Sequence, residues 1–279
     1  MTTQKLATNN YNINKVIYDA TEQYKGLYQS ELSENFLEVH GADGATQIHA
    51  IRVFCMLLQN YNLDTKITSL HPFLRLNDSS QDLDAYKWNL LDPQNTNAAH
   101  RITYNGDVQA LPGGLYSPGN SGDYASLNFN FFTDAIQDNY GFTVSHTGFA
   151  VGKYLTGAFD GGYLGVRGAT GTSMYCGLNN IDSLVIVNND STIPNIITVN
   201  RIADNLSQGY NNGVLVDTGT VGGNNNVNRD YILFGLWQGS HGAPALSTIK
   251  CHVTHNGLNA TDTFNLYNCI KILNTLQER

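Results

Sequence analysis

Glutamate, the residue that most often cuts polysaccharides, is missing from the longest patterned stretch of this chain. It occurs at Glu22, Glu31, Glu34, Glu38 and Glu278, and nowhere between Leu127 and Val253. Glycoside hydrolysis takes two carboxyl groups about 5 to 9.5 Å apart, one an acid with a raised pKa and one a base or nucleophile. The carboxylates of that stretch are all aspartates, among them Asp160, Asp182, Asp190, Asp204, Asp217 and Asp230. Most stand beside Asn, Ser or Gly, where Asp caps its own backbone in a turn. The expectation is binding without turnover, with no catalytic residues.

Aromatic residues carry the stronger signal. Tyr163, Tyr175, Tyr210, Tyr231 and Trp237 fall near strand ends beside polar loops. An exposed ring can stack on a sugar face while adjacent Asn and Asp side chains bind hydroxyls; the competing reading is burial in the core. Tyr163, Tyr175 and Trp237 are the candidate ligand-binding residues. Other chemistry fails on spacing. Tyr154 follows Gly152-Lys153 where a phosphate loop needs Ser or Thr, and Ser240-His241 are adjacent without a nucleophile elbow. Cys251-His252 and His255 are soft metal ligands, but on a strand the two histidines face opposite sides, so they could converge only through a bend at His255-Asn256-Gly257. No matching ligand set or calcium loop accompanies them, so neither metal nor cofactor is expected.

These side chains need a scaffold, and composition points to its kind. Only 14% of the 279 residues are charged, against about 25% in an ordinary soluble domain. Solubility then rests on Asn, Ser, Thr, Gln and Gly, a surface suited to large assemblies or to sugars. A net charge of -8 with no basic cluster argues against nucleic acid. No apolar run reaches the roughly 18 residues of a membrane span. Met1 to Lys5 shows no charged region leading into an apolar one, so synthesis in a cytosol is expected. The scattered Cys55, Cys176, Cys251 and Cys269 then read as free thiols.

Residues 1–24 are polar apart from Val16-Ile17-Tyr18 and read as an arm ordered by a partner, if at all. Residues 25–100 form a small helical and connector region. Ile48, Ile51, Phe54, Cys55 and Leu58 give helical spacing over Gly44 to Asn60, with Asp43 as candidate cap. From 101 to 279 short alternating segments follow one another: Ile102–Tyr104, Tyr124–Phe132, Gly141–Thr147, Tyr163–Val166, Ser173–Leu178, Leu184–Val187, Ile196–Arg201, Val214–Thr218, Ile232–Trp237 and Ile249–Val253. Asn105-Gly106, Asn212-Gly213 and Gly222-Gly223 are turn signals, and Asn212-Gly213 is the clearest hairpin. A closing helix carries the stripe Phe264, Tyr267, Ile270, Leu273 and Leu276. The fold class is mainly β, a jelly-roll sandwich with a small N-terminal helical region and a C-terminal helix.

Several segments in order resemble one family. Leu70-His71-Pro72-Phe73, then Tyr86-Lys87-Trp88-Asn89-Leu90-Leu91-Asp92-Pro93 and Ala98-Ala99-His100-Arg101-Ile102-Thr103-Tyr104-Asn105-Gly106, are similar to the opening segment of tailed-phage virion structural or fibre proteins with a concanavalin-like, laminin-G-like sandwich. Tyr163-Leu164-Gly165-Val166, Tyr175-Cys176-Gly177-Leu178, the Tyr210–Gly213 hairpin, Ile232–Gly235 and the ending from Gly257 to Asp262 continue the likeness, which spans roughly residues 45–279. The resemblance implies a virion protein of tail or head, a sandwich that binds host-surface glycan, and no catalytic residues. The arm would attach it to other virion proteins, and a homotrimer would cover the sheet edges. Two other readings stand beside this one: a polysaccharide depolymerase, and a structural cement protein without ligand.

Overall fold

A computed structural model describes residues 29–75, 82–136, 138–160, 163–170, 173–178, 184–187, 195–203, 206–220, 227–237, 241–242 and 244–277. The expected arm at 1–24, Gly222-Gly223 and the Asn224–Asn226 stretch lie outside them.

Helix α1 (Glu31–His40) opens on a capping box made by two serines. Ser30 Oγ accepts from the Ser33 amide at 3.1 Å and Ser33 Oγ from the Ser30 amide at 3.2 Å. The helix ends on Gly41 at φ 75°, the left-handed conformation that glycine adopts without strain. Helix α2 (Ala45–Asn60) matches the expected span, but its N-cap is Gly44, which makes no side-chain cap, rather than Asp43. Strand β1 (Ile67–His71), helix α3 (Leu83–Tyr86) and strands β2 (Thr103–Asn105), β3 (Gln109–Leu111), β4 (Gly114–Ser117) and β5 (Tyr124–Asn130) follow. A single turn, α4 (Phe131–Asp134), then leads to β6 (Tyr140–Thr147), β7 (Tyr154–Phe159), β8 (Tyr163–Thr170), β9 (Ser173–Leu178) and β10 (Leu184–Val187). The chain continues through β11 (Asn195–Ala203), β12 (Leu206–Asn211), β13 (Val214–Gly219), β14 (Asp230–Leu233), β15 (Leu236–Trp237), β16 (His241–Gly242), β17 (Ser247–His255) and α5 (Ala260–Leu276).

The strands form two sheets. The first runs β13-β12-β11-β6-β17-β4-β3, with β1 also pairing β17; the second runs β10-β9-β8-β7-β14-β5-β2, with β15 and β16 beside β7. Apart from the parallel contact of β15 with β7, every strand pairing is antiparallel among the described residues. The sequence reading of a two-sheet β-sandwich closed by a helix therefore holds. Asn212 and Gly213 both adopt positive φ, 51° and 76°, between β12 and β13, as a type I′ hairpin turn requires. Asn105-Gly106 behaves otherwise. β2 and β3 belong to different sheets, so this turn carries the chain across the sandwich and closes no hairpin.

Two apolar layers result. Between the sheets, Leu127 and Phe129 of β5 and Tyr231 and Leu233 of β14 meet Phe142 and Val144 of β6 and Val199 of β11. On the far side of the first sheet, Phe54 and Leu58 of α2 and Leu266, Cys269, Ile270 and Leu273 of α5 pack with Cys251 and Val253 of β17. The buried stripe of α5 is thus rotated from the expected one, and Phe264 is 41% exposed. Polar contacts fix the register of that helix: Asn274 Nδ2 donates to Ser145 Oγ at 3.0 Å, and Asn200 Nδ2 to Thr263 Oγ1 at 3.0 Å. Among the described residues, the long helices α2 and α5 pack on the first sheet. All four cysteines are buried and none forms a disulfide.

Candidate functional site

Strand alternation sets which residues reach the outer face of the second sheet. On β5 the side chains of Ala125, Leu127 and Phe129 enter the core, so Tyr124, Ser126 and Asn128 point outward. Cross-strand pairing brings neighbours to each of them. Asn105 of β2 stands opposite Tyr124, and Thr103 opposite Ser126. On the other side Ile232 of β14 also stands opposite Ser126, and Asp230 opposite Asn130. These residues enclose an open pocket of about 200 Å³ lined by Thr103, Asn105, Tyr124, Ser126, Asn128, Asp230 and Ile232. Drug-sized sites run to roughly 300–1,000 Å³, so this one takes a fragment of about one ring.

The lining is preorganised from below. Asn128 sits at φ 48°, with its side-chain Nδ2 donating to the Arg101 carbonyl and its own amide donating to Ser126 Oγ at 3.3 Å. His100 Nδ1 donates to the Asn128 carbonyl at 3.0 Å. The floor, Ser126 and Ile232, is buried, whereas Asn105 and Asp230 at the rim are exposed. Partial burial, and then the nearby Asp134 carboxylate, hold the Asp230 carboxyl above its usual pKa. Asp134 accepts from the Asn130 amide at 2.7 Å and from the Thr133 hydroxyl at 2.8 Å. An aromatic ring, two amides, two hydroxyls and one carboxylate around a shallow cleft form a set that can hold a polyhydroxylated ring.

The expected aromatic residues are elsewhere. Tyr175 stands on the outer face of β9, half-buried, with the Arg167 guanidinium 5.1 Å from its ring centre. β8 and β7 continue the row, since Arg167 is the cross-strand partner of both Tyr175 and Tyr154. Tyr175 lies four strand positions from β5 and Tyr154 two, and neither lines the pocket. The side chains of Tyr163 and Trp237 lie outside the described residues. Tyr210 and Tyr231 are both buried, Tyr231 wholly between the sheets and Tyr210 on the helix side of the first sheet beside Thr263. The pocket tyrosine, Tyr124, begins the expected strand Tyr124–Phe132, and alternation from Leu127 would have placed it outward. Its partners come from strands far away in sequence. Asp230, flanked by Arg229 and Tyr231, is the first residue of β14 and lies in no turn.

The histidines weighed as metal ligands are separated as strand geometry requires. His252 is buried beside Tyr231, ring centres 5.6 Å apart, while His255 contacts Thr143 Oγ1 at 3.1 Å and the Asn256 carbonyl at 2.8 Å. No group of three or more His, Cys, Asp or Glu residues converges on a metal position among the described residues.

No protein-family model matches the chain, and no curated protein matches its sequence. Solved structures do match its fold. A mutant of Trypanosoma rangeli sialidase displaying trans-sialidase activity superposes with a TM-score of 0.56 at 9% identity, over 81% of this chain and 39% of that one. Trypanosoma rangeli sialidase in complex with sialic acid gives 0.54 at 10% identity, over 80% and 39%. A mutant of HCR/D gives 0.52 at 14% identity, over 73% and 51%. The chain therefore spans well under half the length of the sialidases. At such identities the likeness is one of fold, a β-sandwich.

Proposed function

We propose that this protein binds a carbohydrate in the pocket on the outer face of its second sheet, without turning it over. One observation carries the reading: Tyr124, Asn105, Asn128 and Asp230 converge around about 200 Å³ on the outer face of the second sheet. The ring of Tyr124 supplies an apolar face and the amides and carboxylate supply hydroxyl partners. The ordered motifs along residues 45–279 support placing this recognition on a phage particle, with the N-terminal arm as attachment to other virion proteins and host-surface glycan as ligand. Exposed Val214 and Leu215 on the edge strand β13 support self-association, as a trimer in the first instance.

The test is titration of the protein with a panel of oligosaccharides, followed by Tyr124→Ala and Asn105→Ala. Loss of the stacked ring should lower affinity roughly tenfold. Unchanged binding in both variants, with loss in Tyr175→Ala, would move the site to the row formed by Tyr154, Arg167 and Tyr175.

One observation favours hydrolysis as a second reading. Asp230 lines the pocket with its pKa raised by burial and by Asp134, as a general acid would be. Against it, Asp134 is engaged with the Asn130 amide and the Thr133 hydroxyl, and does not line the pocket. Sustained release of reducing ends that vanishes in Asp230→Asn would establish the hydrolase.

A further inference from the structure

The charge of the pocket restricts its ligand more sharply than its shape does. Among the described residues that line the pocket, Asp230 alone carries a formal charge at neutral pH. The carboxylate of Asp134 adds to the same negative field, because it caps the amide of Asn130, the residue paired across the sheet with Asp230. Asn130 itself is neutral and spends its side chain on Phe132 N and Asn228 Oδ1. The cations closest along the chain are directed elsewhere. Arg101 donates to Asn95 Oδ1 at 2.9 Å and to Asn97 Oδ1 at 3.0 Å, and Arg229 lies 3.9 Å from Asp160. Asn128, having given its Nδ2 to the Arg101 carbonyl, keeps its Oδ1 as the acceptor available to a ligand. Asp230 and Asn128 Oδ1 therefore accept.

We propose that the pocket selects sugars that donate hydrogen bonds to it, neutral hexoses and free-amine hexosamines, and rejects sugars bearing a carboxylate. This rests on the carbohydrate-binding reading and deepens it. A sialic or uronic acid would bring its anion against Asp230 with no Arg or Lys among the described lining residues to neutralise it, and like charges at close range cost binding. An ammonium would instead form a charge-assisted bond with Asp230. The sialidases of similar fold thus lend no ligand to this chain, and the net charge of -8 repels acidic glycans further.

The experiment compares three arms on the full chain at neutral pH and low salt: chitosan oligomers, neutral gluco-oligosaccharides, and an acidic arm of sialyl-lactose and oligogalacturonate. The expected order is amine over neutral, with the acidic arm at least tenfold weaker than neutral. Asp230→Asn should erase most of the amine preference, a loss of roughly ten- to a hundredfold for the chitosan oligomers, against a loss of about fivefold for neutral sugars, the worth of one hydroxyl hydrogen bond. Acidic glycans binding more tightly than neutral ones, with that binding lost in Tyr124→Ala, would overturn the charge inference and leave the pocket reading standing. Binding by none of the three arms, or binding that Tyr124→Ala and Asn105→Ala leave untouched, would overturn the pocket reading and the inference with it.

Discussion

The two sheets of this sandwich share one core and differ on their outer faces. Behind the first sheet, Phe54, Leu58, Leu266, Ile270 and Leu273 make a second apolar layer, and the polar groups there are internal fasteners such as Asn274 to Ser145. The outer face of the second sheet carries Tyr124, Asn105, Asn128 and Asp230 around a cleft, with side chains half-buried or exposed. A face that buries its polar groups against a helix contributes stability; a face that leaves them convergent and solvated is where a ligand can gain from them. The comparison therefore predicts where damage should cost folding and where it should cost binding.

Acid should separate the two most. His40, His146 and His255 have pKa values lowered to about 4 and His71 to about 3, all chiefly through burial. His252 is depressed as well, first by burial and then by His71 and His255. They belong to α1, β1, β6 and β17, so the first sheet and its helices hold them all. A histidine kept neutral when folded takes up its proton on unfolding. Its neutral burial is without penalty above the unfolded value of about 6.5, and stability falls as pH drops from there toward about 4. At pH 5 each group contributes up to about 2 kcal/mol of destabilisation. Circular dichroism against pH should show cooperative loss of structure in that window. A melting temperature flat from pH 7 to pH 4.5 would refute the assignment.

Next in size is the helix layer. Phe54→Ala removes a ring with no exposed surface and should cost about 3–5 kcal/mol in denaturant unfolding. Sugar affinity measured on the fraction still folded should not change. A comparable loss is expected at Arg201, which is fully buried, pairs with Asp138, and lies 5.8 Å from the ring centre of Tyr140. Breaking a buried ion pair from one side typically costs about 3–5 kcal/mol, whereas removing both charges is often nearly neutral. Arg201→Met alone should therefore be worse than Arg201→Met combined with Asp138→Asn, and equal midpoints for the two proteins would show the pair to be energetically idle.

Much of this division is legible in the sequence. Period-two alternation located most of the core strands, and the positive φ of Asn212 and Gly213 is what an Asn-Gly turn between apolar strands demands. Helix α1 escaped because its cap is two serines and its apolar positions are few. β7 escaped because Tyr154–Phe159 carries Gly157 in its interior, where a side chain would meet Leu236. β14 and β15 read as one strand, Ile232–Trp237, because only the backbone reveals the break at Phe234, φ 61°. The pocket was out of reach for a different reason. Its members are ordinary outward residues of β2, β5 and β14, and only the non-local strand order puts them together. Large aromatics seemed the better guide, yet burial claimed Tyr210 and Tyr231.

The smallest stability effect is the sharpest test of the comparison. Asn105 is exposed at the rim of the pocket, on a three-residue strand at the edge of the second sheet. Replacing it with alanine leaves no cavity and strands no buried partner, so the cost should stay within about 0.5 kcal/mol, as for surface sites generally. The same change removes one hydrogen-bonding amide from the wall facing a bound ring, and a net bond of about 1 kcal/mol corresponds to roughly a fivefold loss in affinity. Asn105→Ala should thus melt with the parent protein yet bind sugar more weakly, the reverse of Phe54→Ala. Calorimetric titration and thermal melts on the same two preparations would read both numbers. Should Asn105→Ala destabilise as much as Phe54→Ala, the outer face of the second sheet is part of the structural frame, and the cleft loses its claim to be a site.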